Sequence, residues 1–507
     1  MSSDRKNSKR IAKNTLLLYF RMILMMGISL YTSRIVLNAL GIEDFGIYNV
    51  VGGFVSLFTV FNASLMVAIS RFITFELGAG NIDTQRKIFS TSVNIEIAMS
   101  VVIGILAETV GLWFLNTQMV IPSSRLFAAN IVYQLSLLTF IINLISIPYN
   151  AAIVAHEKMS AFAYISLLEA GWKLMVAYSV YITFYDKLIT YGILLALIAI
   201  VVRLIYGWYC KKNFVECSYY WGIDKIIFKR MLSFAGWEMI GSTAVAVNGQ
   251  GGNVLINMFA GPSVNAARGV AMQVYGAING FVSNFMMALN PQITKAYAQG
   301  DFEYMWKLVF VGARFSFYLM MVISLPILIN THYILELWLK VVPDYSVTFL
   351  RLTLITAILN TLSQPLATTQ NATGKNKLYQ IFIGGINLLN LPIAYICLKM
   401  GASVVWVFGV TLGIDFIRTF MRLPILNRMI NLNMIGFLTS VIGKCFLVAF
   451  LSCILPYYVY NSMSESLVNF IVTTTICVIS SGIMCFFVGM TKMERLHIIN
   501  KLKKNME

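Results

Sequence analysis

Charged residues make up only 12% of this 507-residue sequence, about half the share of an ordinary soluble domain. That deficit excludes a conventional water-soluble globule. Histidine is nearly absent, with three in the chain, and none of the seven cysteines has metal-ligand spacing, so a His/Cys metal centre has no ligand set to draw on. No Walker-type phosphate loop occurs, which argues against a nucleotide-driven motor, and no cofactor is expected. Proline-, serine- or glycine-rich linkers and low-complexity tracts are also missing, so nothing marks off a separate soluble domain.

What fills the chain is apolar. Hydrophobic residues reach 58%, in recurring runs of about 20 residues, each long enough as a helix to cross a hydrocarbon layer of roughly 30 Å. Lipid offers no hydrogen bonds to a bare backbone, so helices are the economical form of such runs. Fourteen spans are expected, near 14–39, 46–69, 91–114, 125–147, 161–184, 189–210, 231–259, 264–289, 308–329, 346–366, 378–398, 402–423, 437–460 and 467–490. The basic stretch Met1 to Lys13 leads into the first of them without an Ala-x-Ala-like cleavage site, which reads as a retained helix.

The 38 Lys and Arg fall mostly on one side of these spans. With the N-terminus inside, the inner segments hold Arg10, Lys13, Arg71, Arg86, Lys87, Lys158, Lys211, Lys212, Lys295, Lys307, Lys375, Arg418, Arg422, Lys501, Lys503 and Lys504, among others. The outer ones hold few, including Arg34, Arg125, Arg268 and Lys340. This asymmetry places both termini in the cytoplasm. It also accounts for the net charge of +17 through attraction to anionic headgroups, with no nucleic-acid partner.

A polar turn after the second span, SRFITFELGAGN at 70–81, returns after the eighth as PQITKAYAQGD at 291–301. Ile73, Thr74, Gly80 and Lys87 recur 220 positions later as Ile293, Thr294, Gly300 and Lys307, and Gly41 recurs as Gly261. Pro148, Ala155 and Lys158 recur 217 positions later as Pro365, Ala372 and Lys375. Matches on Gly, Pro, Thr and Lys at equivalent turns point to duplication of a six-helix unit. The expected fold is all-α and integral to the membrane: two parallel six-helix repeats, 1–215 and 216–432, followed by two added helices and a basic tail, 433–507.

In its order of turns, and in the stretches LYTSRIVLNALG at 30–41, DFGIY at 44–48 and NAARG at 265–269, the sequence resembles the multidrug/oligosaccharidyl-lipid/polysaccharide exporter superfamily. More narrowly it is similar to the bacterial polysaccharide-biosynthesis transporters, flippases of O-antigen and related lipid-linked oligosaccharides. The resemblance implies two helical bundles around a central cavity. It also implies a substrate, undecaprenyl-pyrophosphate carrying a short glycan, moved from the inner to the outer leaflet of the cytoplasmic membrane. Membrane lipids, and possible polysaccharide assembly proteins, are the other expected partners.

Such a cavity calls for Arg or Lys against the diphosphate, and ionisable residues within spans are the first candidates. Arg268 leads: it resembles an arginine in the eighth helix of peptidoglycan-precursor flippases, although Ala267 stands where those have an acid. It opens a stripe, Arg268, Tyr275, Asn279, Ser283 and Asn290, on one helical face. Arg21, Lys173 and Arg314 are further substrate-binding candidates, each with a structural alternative: headgroup snorkelling for Arg21 and Arg314, and an i,i+4 pair with Glu169 for Lys173. Carboxylates that could couple transport to an ion are Glu238, the first choice, then Glu169 and Glu96. Glu238 precedes Asn248-Gly-Gln-Gly-Gly-Asn253 on the same span, where the glycines suggest either an unwound segment or close helix packing. An organic-cation exporter of the same superfamily is the nearest rival, but it would want acids in the first span, which has Arg21 and none. A membrane-embedded glycosyltransferase would have to work with His332, Glu336 and Asp344 in a short amphipathic outer segment.

Overall fold

The computed structural model describes residues 2–496 and 499, apart from 57, 118, 120, 223, 340 and 341; Lys340, Lys501, Lys503 and Lys504 lie outside the described residues. Among those residues every regular element is helical. In order they are α1 (Ser2–Ser56), α2 (Thr59–Ala79), α3 (Ile82–Leu106), α4 (Leu112–Thr117), α5 (Leu126–Ala155), α6 (Met159–Ile182), α7 (Lys187–Asn213) and α8 (Lys225–Ala298). There follow α9 (Phe302–Ile329), α10 (Thr331–Leu339), α11 (Ser346–Thr373), α12 (Asn376–Tyr379), α13 (Gly385–Leu388), α14 (Asn390–Lys399), α15 (Trp406–Ile430), α16 (Met434–Phe437), α17 (Lys444–Ser462) and α18 (Leu467–Met484). Wide π-turns at Ala107–Gly111, Gln380–Gly384 and Leu438–Gly443 join the short pieces into longer rods.

All fourteen expected spans fall on helix over nearly their whole length, and the chain is an all-α integral membrane protein. Among the described residues nine helices are both long and apolar enough to cross a membrane. The expected spans 161–184, 231–259, 264–289 and 402–423 are not among the nine, and 46–69 is divided between α1 and α2. The reason is chemical: α6 carries Glu169 and Lys173, α8 carries Asn248, Gln250, Asn253 and Arg268, and α15 carries Asp415, Arg418 and Arg422. These helices carry several of the candidate functional groups, while Arg21, Glu96 and Arg314 lie on helices that are among the nine.

Two glycines bend the long rods. Gly41 breaks α1 with φ 81° and ψ 169°, and Gly261 breaks α8 with φ 81° and ψ 179°. Only glycine occupies this region without strain. The same pairing continues through the repeat. Gly80 and Gly300 both take φ near the left-handed helical value, 80° and 74°. The next residues, Asn81 and Asp301, each cap the following helix by accepting from the amide three residues on, at 3.1 Å from Thr84 and 3.0 Å from Tyr304. Pro148 and Pro365 lie inside helices. Glu157 and Gly374, again 217 apart, both have positive φ, 58° and 73°. The positions that recur in sequence thus also take matching backbone conformations.

The chain packs as two compact units, Met1–Ser242 with Thr294–Gly300, and Thr243–Ile293 with Asp301–Glu507. In the first, α5 packs on α7 and α1 on α6 around fully buried Tyr133, Phe89, Leu144 and Ile153. Ion pairs lock its ends. Arg125 grips Asp44 at 2.6 Å and Asp186 at 2.5 Å, while Glu157, wholly buried, is met by Arg10 at 2.7 Å and Lys295 at 2.8 Å. Glu157 holds a left-handed backbone that glycine supplies at 374, and its two cations account for its burial. In the second unit α11 packs between α9 and α15, and the α17–α18 pair packs against α9.

Candidate functional site

A cavity of about 490 Å³ lies within the second unit, walled by α8, α11, α13, α14 and α15, a volume typical of small-ligand sites. Its lining carries three guanidiniums, Arg268, Arg418 and Arg422, and one carboxylate, Asp415. Amides surround them: Asn248, Asn360, Gln364, Asn387 and Asn390.

The position of each cation follows from local sequence. Arg268 stands two turns beyond the break at Gly261, buried to 8% exposure, and donates to Asn253 Oδ1 on the preceding limb of α8. It can lie across that limb because residue 252 is glycine; a Cβ there would sit 2.9 Å from the guanidinium. A Cβ at Gly251 would strike Leu391 at 2.3 Å. The glycine run is therefore helical and serves close approach. The unwound segment offered as one expectation for Asn248–Asn253 does not occur, because the bend is taken up at Gly261.

Arg418 and Arg422, counted in the sequence among the inner cations, are not among its candidate site residues. Both line the cavity from within α15, which runs on to Ile430. Arg418 pairs with Asp415 at 2.7 Å, and Asn360 ties the two together, donating to Asp415 at 2.6 Å and accepting from Arg418 at 2.8 Å. Arg422 donates to the Ser363 carbonyl at 3.1 Å and faces the Tyr379 ring. The Nε atoms of Arg418 and Arg422 and the Oδ1 of Asn248 are buried without a hydrogen-bond partner. The signal was present in sequence, since Asp415, Arg418 and Arg422 recur at steps of three and four on one helix face.

Of the other candidates, Tyr275 lines the same cavity. Asn279 contacts Ser283 at 3.4 Å, and Asn290 accepts from Thr368 at 2.8 Å. Arg314 is not in the lining; it is buried in an ion pair with Glu494 at 2.6 Å. In the first unit Lys173 pairs with Glu169 at 2.6 Å, and Arg21 lies over the Phe162 ring at 4.5 Å. Glu238 is buried on the part of α8 that belongs to the first unit. Glu96 is fully buried and neither carboxylate oxygen has a hydrogen-bond partner. Outside the spans, His332 faces Glu336 at 3.8 Å and Glu465 at 3.7 Å on an exposed surface. Among the described residues no group of three or more His, Cys, Asp or Glu could hold a metal ion.

This fold is shared with solved membrane transporters. A structure of a MATE transporter in the bent conformation superposes with a TM-score of 0.73 at 13% identity, covering 86% of this chain and 97% of that one. An outward-facing multidrug resistance MATE family transporter of the MOP superfamily gives 0.72 at 12% identity, with 85% and 96% covered. A MOP superfamily transporter from Pyrococcus furiosus, described as having a binding pocket of reverse polarity, gives 0.69 at 14% identity, with 84% and 96% covered. No curated protein sequence matches the chain. The sequence profile of the polysaccharide biosynthesis protein family matches residues 11–297, and the MatE profile matches residues 250–396. The chain belongs to the polysaccharide biosynthesis protein family.

Proposed function

We propose that this transporter is a flippase. It moves an undecaprenyl-pyrophosphate-linked oligosaccharide from the inner to the outer leaflet of a bacterial cytoplasmic membrane, both termini lying in the cytoplasm, to feed surface polysaccharide synthesis. The charge balance of the arginine cavity carries this reading. Among the described residues only Arg418 of the three has a carboxylate beside it; Arg268 is met by the Asn253 amide, and Arg422 by a carbonyl and a ring. A buried cation left without a counter-charge is costly, by several kcal/mol. A diphosphate would relieve it with short, bidentate, charge-assisted bonds, and the surrounding amides suit the polar atoms next to it. The polyprenyl tail needs no such site and can remain in lipid.

Export of organic cations, the rival reading, draws on the MatE match to residues 250–396. It would require free carboxylates in the cavity, and Asp415 is already held by Arg418 and Asn360. Transport would proceed by alternating access. Glu96, sealed from water with both oxygens unpartnered, is the carboxylate best suited to exchange an ion during the cycle, ahead of Glu238 and the paired Glu169.

Deletion of the gene should strand lipid-linked oligosaccharide on the cytoplasmic leaflet, read by protection of the glycan from external enzymes in spheroplasts. Arg268→Ala, expressed at wild-type level, should leave the same stranded pool. Full glycan export by that strain would remove the assignment of the cavity.

A further inference from the structure

A second cavity, about 540 Å³, lies in the first unit and is lined by Tyr31, Arg34, Ile35, Asn38, Tyr178 and Tyr181. The transport reading above makes no use of it. Tyr31, Arg34 and Asn38 recur at steps of three and four along α1, so they share one face. Tyr178 and Tyr181 face them from α6, which packs against α1. The two walls touch through their hydroxyls, Tyr31 to Tyr178 at 2.8 Å.

A lipid-facing aromatic belt would account for tyrosines alone, since such belts put ring bodies in acyl chains and hydroxyls at headgroups. Arg34, exposed at the same level, fits such a belt by snorkelling to headgroups; what the belt does not account for is Asn38 in the wall and a hydroxyl contact that joins two helices across a cavity. Arg34 has no carboxylate within ion-pairing distance among the described residues, so its charge is free to meet a ligand. The tyrosine rings are half exposed, at 52%, 47% and 47% for Tyr31, Tyr178 and Tyr181, and only Ile35 in the wall is aliphatic. Tyrosine offers a large flat face and a hydrogen-bonding tip at little entropic cost. A sugar ring presents the matching pattern, an apolar C–H face with hydroxyls around its edge. Arg34 adds a fork for a carboxylate.

We propose that this pocket is a glycan subsite that takes the carbohydrate of the transported lipid, with Arg34 reading an acidic sugar. The inference rests on the flippase reading but uses different residues from the diphosphate cavity, so the two can fail separately. The test is binding to the full-length protein in nanodiscs of zwitterionic lipid. Three probes are used: undecaprenyl diphosphate, the same lipid bearing a neutral trisaccharide, and the same lipid bearing a trisaccharide that ends in a hexuronic acid.

Wild type is expected to bind both glycan lipids at least about tenfold more tightly than the bare lipid, the acidic one most tightly. Tyr178→Ala and Tyr181→Ala should erase the glycan advantage and leave affinity for the bare lipid unchanged. Arg34→Gln should erase only the preference for acid, and Tyr178→Phe, which keeps the ring, should retain most of the advantage. Wild type binding the bare lipid with no gain from either glycan overturns the subsite and spares the diphosphate cavity; failure to bind any of the three overturns both. A glycan advantage unchanged in the tyrosine variants also overturns it. So does a surface that responds to added phosphatidylglycerol through Arg34 but not to glycan.

Discussion

Asn253→Asp is the substitution that separates a cation held in reserve for substrate from one that merely stabilises helix packing. Asn253 Oδ1 already accepts from Arg268, and aspartate is nearly isosteric, so the geometry survives while the partner gains a full negative charge. Two unit charges about 3–4 Å apart attract by roughly 4–5 kcal/mol at an effective dielectric of 20. Desolvating the new carboxylate takes back part of that, leaving about 2 kcal/mol. The fold should gain: the melting temperature of the detergent-purified variant is expected to rise by a few degrees. Ligand binding should lose by a similar energy, because the diphosphate no longer meets an unmet charge. At 1.4 kcal/mol per tenfold, that is about a 30-fold weaker affinity for undecaprenyl diphosphate. Titration of the purified variant with that lipid, alongside its thermal melt, reads both numbers. A variant that melts higher yet binds and transports as wild type does would refute the idea that Arg268 is kept unneutralised for cargo.

The remaining expectations follow from single features. Gly41→Ala and Gly261→Ala should each cost about 1–3 kcal/mol through backbone strain alone, since a Cβ at either position meets nothing within 4 Å; equal losses in thermal stability would mark the two breaks as equivalent, and no loss at either would remove the strain argument. Glu157→Gln leaves Arg10 and Lys295 facing each other without the carboxylate they share, and should lower stability by about 1–3 kcal/mol, relieved in part when Lys295 is also replaced by methionine. Acid should weaken the first unit in a defined window. Burial pushes the Asp186 and Glu216 carboxyls up, but hydrogen bonds from Arg125 and His156 outweigh it and hold both below their ordinary values. Their stabilisation is therefore complete above the unfolded range near pH 4 and is lost as pH falls through the lower folded values. Melting curves of Asp186→Asn and Glu216→Gln should be less steep in pH below about 4 than those of wild type, and identical slopes would contradict this.

Much of the fold was legible because lipid leaves an apolar chain few options: run length and the exclusion of water from the backbone give helices, and recurrence of Gly, Pro and Lys at fixed separations gives the duplication. Gly41 and Gly261 illustrate both the reach and the limit of that reading. Their correspondence is visible in sequence, but the bend they impose depends on a dihedral choice that composition does not encode. Arg268 and Tyr275 could be placed by helical stripe. Arg418 and Arg422 share a face with Asp415 by the same spacing, but counting cations by side treats each as a headgroup anchor and hides that stripe. Whether an arginine near a span end points to lipid phosphates or into its own bundle depends on partners distant in sequence, here Asn360 and Ser363 on α11. For the same reason Arg314 looked available until Glu494, 180 positions away, took it up. The glycine run at 249–252 shows a different limit: low helix propensity was overridden by the packing of Leu391 and Arg268 against the bare backbone.

The central claim is that a cationic hollow in the second unit passes the phosphorylated head of a lipid-linked glycan across the membrane. The most direct measurement places purified protein in sealed vesicles with undecaprenyl-diphosphate oligosaccharide and follows the fraction in each leaflet over time. Wild type is predicted to equilibrate or invert the pool, while Arg268→Ala and a double Arg418→Gln, Arg422→Gln variant leave it where it was loaded. Equal leaflet transfer by wild type and these variants, or none by wild type while a lipophilic cation is exported, would contradict the account.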